Sequence, residues 1–75
     1  MPASIHRAAI TLLVVNARIR TGDPRRPWAD AAALAGTRVA RMAGSAEIRK
    51  LAPADVRVVD AHGAELTPED LPRYA

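Results

Sequence analysis

Apolar and polar positions alternate along Ile10–Thr21, with Leu13, Val15, Ala17 and Ile19 on one side. Asn16, Arg18 and Arg20 take the other side from the midpoint on. A period of two predicts a strand. Its first half, Leu12-Leu13-Val14-Val15, is apolar on both sides, so it is expected to be covered on both faces. Polarity changes at Asn16, where the pattern predicts a bend or bulge.

The stretch from Thr37 to Gly63 reads as strand, short helix, strand: Thr37–Ala43, Ser45–Ala52, then Val56–Asp60 closing on Ala61-His62-Gly63. Gly44 ends the first strand, and Ser45 is placed to cap the helix, with Glu47 near its positive end. Arg49 and Lys50 lie at the negative end, and Pro53 blocks continuation. Ile48, Leu51 and Ala52 fall on one face, as in a short helix lying on a sheet. Gly63 supplies the positive φ of the turn after Asp60, and Ala64–Leu66 is expected to run back as a short strand.

Two segments are less direct. Thr21–Pro27 holds two prolines, a glycine and an Asp-Pro step, which predicts a loop. Trp28–Ala35 is alanine-rich and helical by propensity, yet Gly36-Thr37 is a plausible turn into the following strand. The hairpin is the reading adopted, with the helix as its alternative. At the end, Thr67-Pro68-Glu69-Asp70 is a helix-start signature, and Pro72 is expected to allow about one turn. The expected organisation is a lead-in over 1–9, a β domain over 10–66 and a tail with a short helical turn over 67–75.

Composition thins this picture. Of 75 residues 49% are hydrophobic, but 17 are alanine, and there is no Phe, one Trp and one Tyr. A chain this short is near the lower limit for independent folding, and with no cysteine it has neither disulfide nor thiolate ligation to reinforce it. Self-association or docking on a partner chain is the remaining support. The +3 net charge comes from ten Arg and one Lys against eight acids, spread along the chain. Dispersed charge without interleaved aromatics argues against nucleic-acid binding. Arg7 followed by the apolar run Ala8–Val15 has the outline of a very short leader. It falls far below a membrane span of about 20 residues and continues as a strand. A cytoplasmic location with no membrane partner is the expectation.

Candidate chemistry is sparse. His6 reads as a surface residue and His62 as an exposed turn residue. Arg25-Arg26 reads as an exposed basic loop before it reads as an anion site, and Trp28 as an anchor covering a sheet edge. With only Ser4, Ser45, His6 and His62 available, no nucleophile–base–orienter set has convincing spacing. No catalytic, cofactor-binding or metal-binding residue is assigned.

Taken together, Leu13-Val14-Val15-Asn16-Ala17-Arg18-Ile19, Thr21-Gly22-Asp23-Pro24 and Pro27-Trp28-Ala29-Asp30-Ala31 form an ordered series. Gly36-Thr37-Arg38-Val39-Ala40, Ala46-Glu47-Ile48-Arg49 and Val58-Val59-Asp60-Ala61-His62-Gly63 continue it. In this order and spacing the series resembles the opening of the amidohydrolase superfamily, in the branch of N-substituted formamide deformylase-like enzymes, over residues 10–66. The resemblance implies a small β-sandwich, the composite domain that accompanies a metal-dependent β/α barrel. The family's barrel begins afterwards with a Pro-Gly step and an Asp-x-His-x-His strand, where this chain has Pro68-Glu69 and no following histidine. Setting Asp60-Ala61-His62 on that motif fails, because Ala64 stands at the second ligand, and one His with one carboxylate falls short of a catalytic zinc site. Ala32, Ala33, Ala43 and Glu65 also depart from the family's usual residues and thin the strands.

These readings converge on a mainly β fold with one short helix, a small β-sandwich or half-sandwich. The expected role is a noncatalytic composite-like domain acting through protein association, as an edge-paired homodimer. The alternative is a small subunit or fragment of a metal-dependent amidohydrolase acting on C–N bonds other than peptide bonds. No cofactor is expected.

Overall fold

The computed structural model describes residues 9–75. The expected lead-in as far as residue 8, with His6, lies outside the described residues. The single strand expected over Ile10–Thr21 is two strands, β1 (Leu12–Val15) and β2 (Arg18–Asp23), and they belong to different sheets. Asn16 separates them with φ 54°, a left-handed conformation that asparagine adopts more readily than most residues. The switch corrects the expected facing. Leu13 and Val15 pack in one core, whereas Ala17 and Ile19 join Leu12 and Val14 in another. All four residues of β1 are buried, as their unbroken apolarity predicts.

A second division occurs in the alanine-rich segment. The expected loop Thr21–Pro27 is instead a hairpin: β2 continues to Asp23 and returns as β3 (Arg26–Ala29). Side chains in the turn take over backbone bonding. Thr21 Oγ1 accepts the Asp23 N–H at 3.0 Å and donates to the Arg26 carbonyl, and Asp23 Oδ1 accepts the Arg25 N–H at 2.9 Å. Pro27 is tolerated because β3 is an edge strand, where a missing donor need break no ladder. After Asp30 the chain enters the other sheet as β4 (Ala31–Ala35), which pairs antiparallel with β5 (Arg38–Ala43) through a turn holding Gly36 at φ 63°. Strand thus prevails over helical propensity, because Ala31–Leu34 are buried on both faces.

The first sheet has the order β5-β4-β1-β6 and the second β3-β2-β7, with β6 at Arg57–Asp60 and β7 at Glu65–Leu66. β1 pairs parallel with β6, and β2 parallel with β7. The segments β1–β2 and β6–β7 cross from one sheet to the other side by side. Between the sheets lies the larger core, built on Leu12, Val14, Ile19, Leu34 and Leu71. On the outer face of the first sheet, α1 (Ser45–Lys50) sets Ile48 against Leu13, Val15, Ala31, Ala33 and Ala43. The short alanine side chains leave room for a helix to lie close, and Ile48 is fully buried.

Both helix ends depart from expectation in detail. The residue preceding α1 is Gly44, Ser45 is already helical, and no side chain caps the N-terminus. The helix ends at Lys50, short of Ala52, with Arg49 and Lys50 in its last turn as expected. The tail forms a 3₁₀ helix over Pro68–Tyr74, longer than the expected single turn. Asp70 Oδ2 accepts the Thr67 N–H at 2.9 Å and the Thr67 hydroxyl at 3.1 Å at its start, and Pro72 is accommodated within it. Leu71 anchors this helix in the inter-sheet core.

Candidate functional site

Three exposed places gather chemically distinctive groups. At the crossing of β1–β2 and β6–β7, Asp60 Oδ1 accepts the Asn16 side-chain N–H at 2.9 Å and the His62 backbone N–H at 2.7 Å. The Asn16 carbonyl accepts the Gly63 N–H at 2.7 Å, and the Val15 carbonyl accepts the Ala61 N–H at 2.9 Å. Asn16, His62 and Gly63 all have positive φ (54°, 55° and 77°), so the two crossing turns are locked together through left-handed residues. The His62 N–H, then the Asn16 amide, holds the Asp60 carboxyl below its ordinary range. His62 is exposed, with Nδ1 3.7 Å from Asp60 Oδ1. Among the described residues no three His, Asp or Glu side chains converge. Asp60-Ala61-His62 lies in a turn whose carboxylate is engaged by one backbone N–H and one side-chain amide.

The second place is the outer surface of the β3-β2-β7 sheet. Arg20 stands opposite Trp28 and Arg18 opposite Glu65, while Ile19 between them turns to the core. The Trp28 ring lies 4.6 Å from the Arg18 guanidinium carbon and 5.2 Å from that of Arg20. Both are within cation–π range. Beside this stack, Arg20, Gly22, Asp23, Pro24, Pro27 and Trp28 line an open hollow of about 380 Å³. Arg25 sits in the hairpin turn, and Arg26 points elsewhere, to Glu47 at 3.8 Å. The two arginines that the sequence paired as a basic loop are thus separated. The pair gathered on one ring is Arg18 with Arg20, legible only as the polar side of a strand.

The third place is the outermost strand of the first sheet. Among the described residues β6 hydrogen-bonds only to β1, and Arg57, Val58 and Asp60 are exposed. Val58 is 46% exposed, and Leu51, just past α1, is 45% exposed. By register Val58 lies beside Leu13, on the side of the sheet that carries α1. Among the described residues, no helix is long and apolar enough to cross a membrane.

Comparison with known proteins agrees with this architecture. No family model matches the chain. Over 57 residues, 76% of its length, it is 35% identical to N-substituted formamide deformylase of Arthrobacter pascens. It spans about 10% of the length of that enzyme. Its fold is that of a Bacillus thuringiensis protein of known crystal structure, with a TM-score of 0.66, 21% identity and 76% of each chain covered. The molecule is a small, mainly β sandwich with one short α-helix, and its sequence is similar to part of an N-substituted formamide deformylase.

Proposed function

We propose that this chain is a noncatalytic scaffold domain of the amidohydrolase composite type, acting through protein association by pairing its β6 edge with that of a second copy. The condition of β6 carries the reading: among the described residues it is a terminal strand of the sheet, with a half-exposed valine at its middle. An unpaired edge offers a row of backbone donors and acceptors to another strand. A two-fold antiparallel pairing centred on Val58 sets the two Val58 side chains against each other, and such an isologous contact closes at two copies. The alanine-rich core supports the same reading, because a domain with few large buried side chains gains most from added apolar contact.

A second reading is favoured by the similarity to the deformylase. In it, the chain is the scaffold portion of a metal-dependent amidohydrolase, and β6 meets a barrel-bearing polypeptide. Sedimentation equilibrium at micromolar concentration separates the two. The first reading expects a dimer that Val58→Lys converts to a monomer, with association weakened by about tenfold or more, or ~1.4 kcal/mol. A folded monomer at every concentration overturns self-pairing. Recovery of a stoichiometric complex with a barrel-bearing hydrolase, released by the same substitution, moves the assignment to the second reading.

A further inference from the structure

We propose that the Arg18–Trp28–Arg20 surface is a second docking site, one that takes an extended acidic segment of a partner polypeptide. Arg18 and Arg20 are both exposed and project from the same face of β2. Neither makes an ion pair among the described residues, whereas Arg26 and Arg41 both reach Glu47. Residues 1–8 contain no carboxylate, so that segment has none to offer. Glu65 occupies the position beside Arg18 yet forms no ion pair with it, and Asp23 is engaged by the Arg25 N–H. Two cations held against one aromatic ring therefore remain without a counter-charge.

Spacing defines the occupant. Alternate residues of a strand lie roughly 7 Å apart, so carboxylates at alternate positions of an extended segment match the two guanidiniums in step. The hollow lined by Pro24, Pro27 and Trp28 begins at Arg20 and lies toward the hairpin turn. It gives an apolar side chain following the second acid a place to bury. Nucleic acid fits less well. Its phosphates require a longer track of cations, and stacking of successive bases requires more than one aromatic. The site is on the second sheet, apart from β6, and does not depend on how that edge is used.

Trp28 is the chain's single tryptophan, so its fluorescence reports on this site alone. The experiment titrates the whole chain with a short acetylated peptide alternating glutamate and valine. Its lysine–valine counterpart and an oligomer of deoxythymidylate run in parallel. The expected result is a saturable change in Trp28 emission with the acidic peptide only, weakened about tenfold by molar salt, where the screening length falls to about 3 Å. Arg18→Glu/Arg20→Glu removes binding, and Val58→Lys leaves it intact, which separates this site from the β6 edge. If circular dichroism shows the double reversal unfolded, Arg20→Gln is used in its place, with an expected loss of about tenfold. No response to the acidic peptide, an equal response to the lysine peptide, tighter binding of the oligonucleotide, or full binding by the folded arginine variants overturns the proposal.

Discussion

The two outer strands of the larger sheet are finished in opposite ways. β5 carries Arg38 and Arg41 facing solvent, and its pairing with β4 slips between Ala33 and Leu34, leaving Ala40 as an extra residue. Glu47 of α1 then reaches Arg41 on β5 and Arg26 on β3, tying the outer strands of both sheets to the helix. Charges, a bulge and a covering helix are the devices by which sheet edges avoid pairing. β6, at the other side, carries exposed Arg57 and Asp60 too, but it has four residues, no bulge in its register with β1 and a valine half in solvent. Chain length alone does not account for the contrast, because the longer edge is the guarded one. The difference teaches that edge chemistry, more than edge length, distinguishes the two outer strands, and it is what the proposed edge pairing at β6 rests on.

The largest way to break that contrast is to detach the helix that guards β5. Ile48 is the buried side chain of α1, fixed against Leu13, Val15 and the alanines of β4 and β5. Ile48→Ala is expected to cost about 2–5 kcal/mol, measured by urea unfolding. Domains of this size hold only about 5–15 kcal/mol in total at best, so a substantial unfolded fraction follows. Loss of the helix also removes Glu47 from both arginines, and light scattering should show species larger than the wild type's. A stable variant with unchanged mass means that α1 guards nothing.

Acid tests the unguarded side next. Asp60 closes the crossing that joins β6 to β7, and its folded-state pKa is lowered by the His62 N–H and the Asn16 amide. A carboxyl depressed in the folded state contributes stability that is present above its unfolded value, about 3.9, and is lost as pH falls through the folded value. Asp70, whose pKa is lowered by the Thr67 N–H and then its hydroxyl, behaves the same way at the start of the 3₁₀ helix. The urea midpoint should therefore fall as pH drops below about 4. Asp60→Asn should lower the midpoint at neutral pH and flatten its acid dependence, leaving the part due to Asp70. Equal acid slopes in variant and wild type would remove Asp60 from the crossing's stability.

The strands themselves are largely legible as sequence: doubly apolar β1, the β4–β5 hairpin across Gly36, and β6 before its glycine turn. What periodicity conceals is the change of sheet. Leu13, Val15, Ala17 and Ile19 keep a period of two through Asn16, although one left-handed residue carries the last two into a different layer. Alternation records which residues share a side of a strand only while the strand stays in one sheet. Asp30 hides the same event, since Ala29 and Ala31 are both buried on either side of it. The prolines of Thr21–Pro27 suggest a loop because nothing local reveals that β3 is an edge, where Pro27 is harmless. Misplacing that hairpin also hides the candidate site: Arg18 and Arg20 read as a polar face, but the ring they stack on arrives only when β3 folds back. The exposure of β6 is likewise a property of strand order, which pairing creates and no single segment encodes.

The finest distinction concerns Glu47. Its carboxylate and the two guanidiniums are 43–54% exposed, so the pairs are screened and Glu47→Gln is expected to change stability by at most ~1 kcal/mol. Its consequence for association is more informative. If the ion pairs themselves guard β5, Glu47→Gln creates a second competent edge, and sedimentation should show association that persists when Val58→Lys is added. High salt should reproduce this in the wild type, because exposed pairs weaken with ionic strength while the valine contact does not. If instead the bulge at Ala40 and the two outward arginines suffice, the double variant stays monomeric in both low and high salt. Only the first outcome makes Glu47 a guard of the edge; the second leaves backbone geometry and like charge as what keeps β5 apart from other strands.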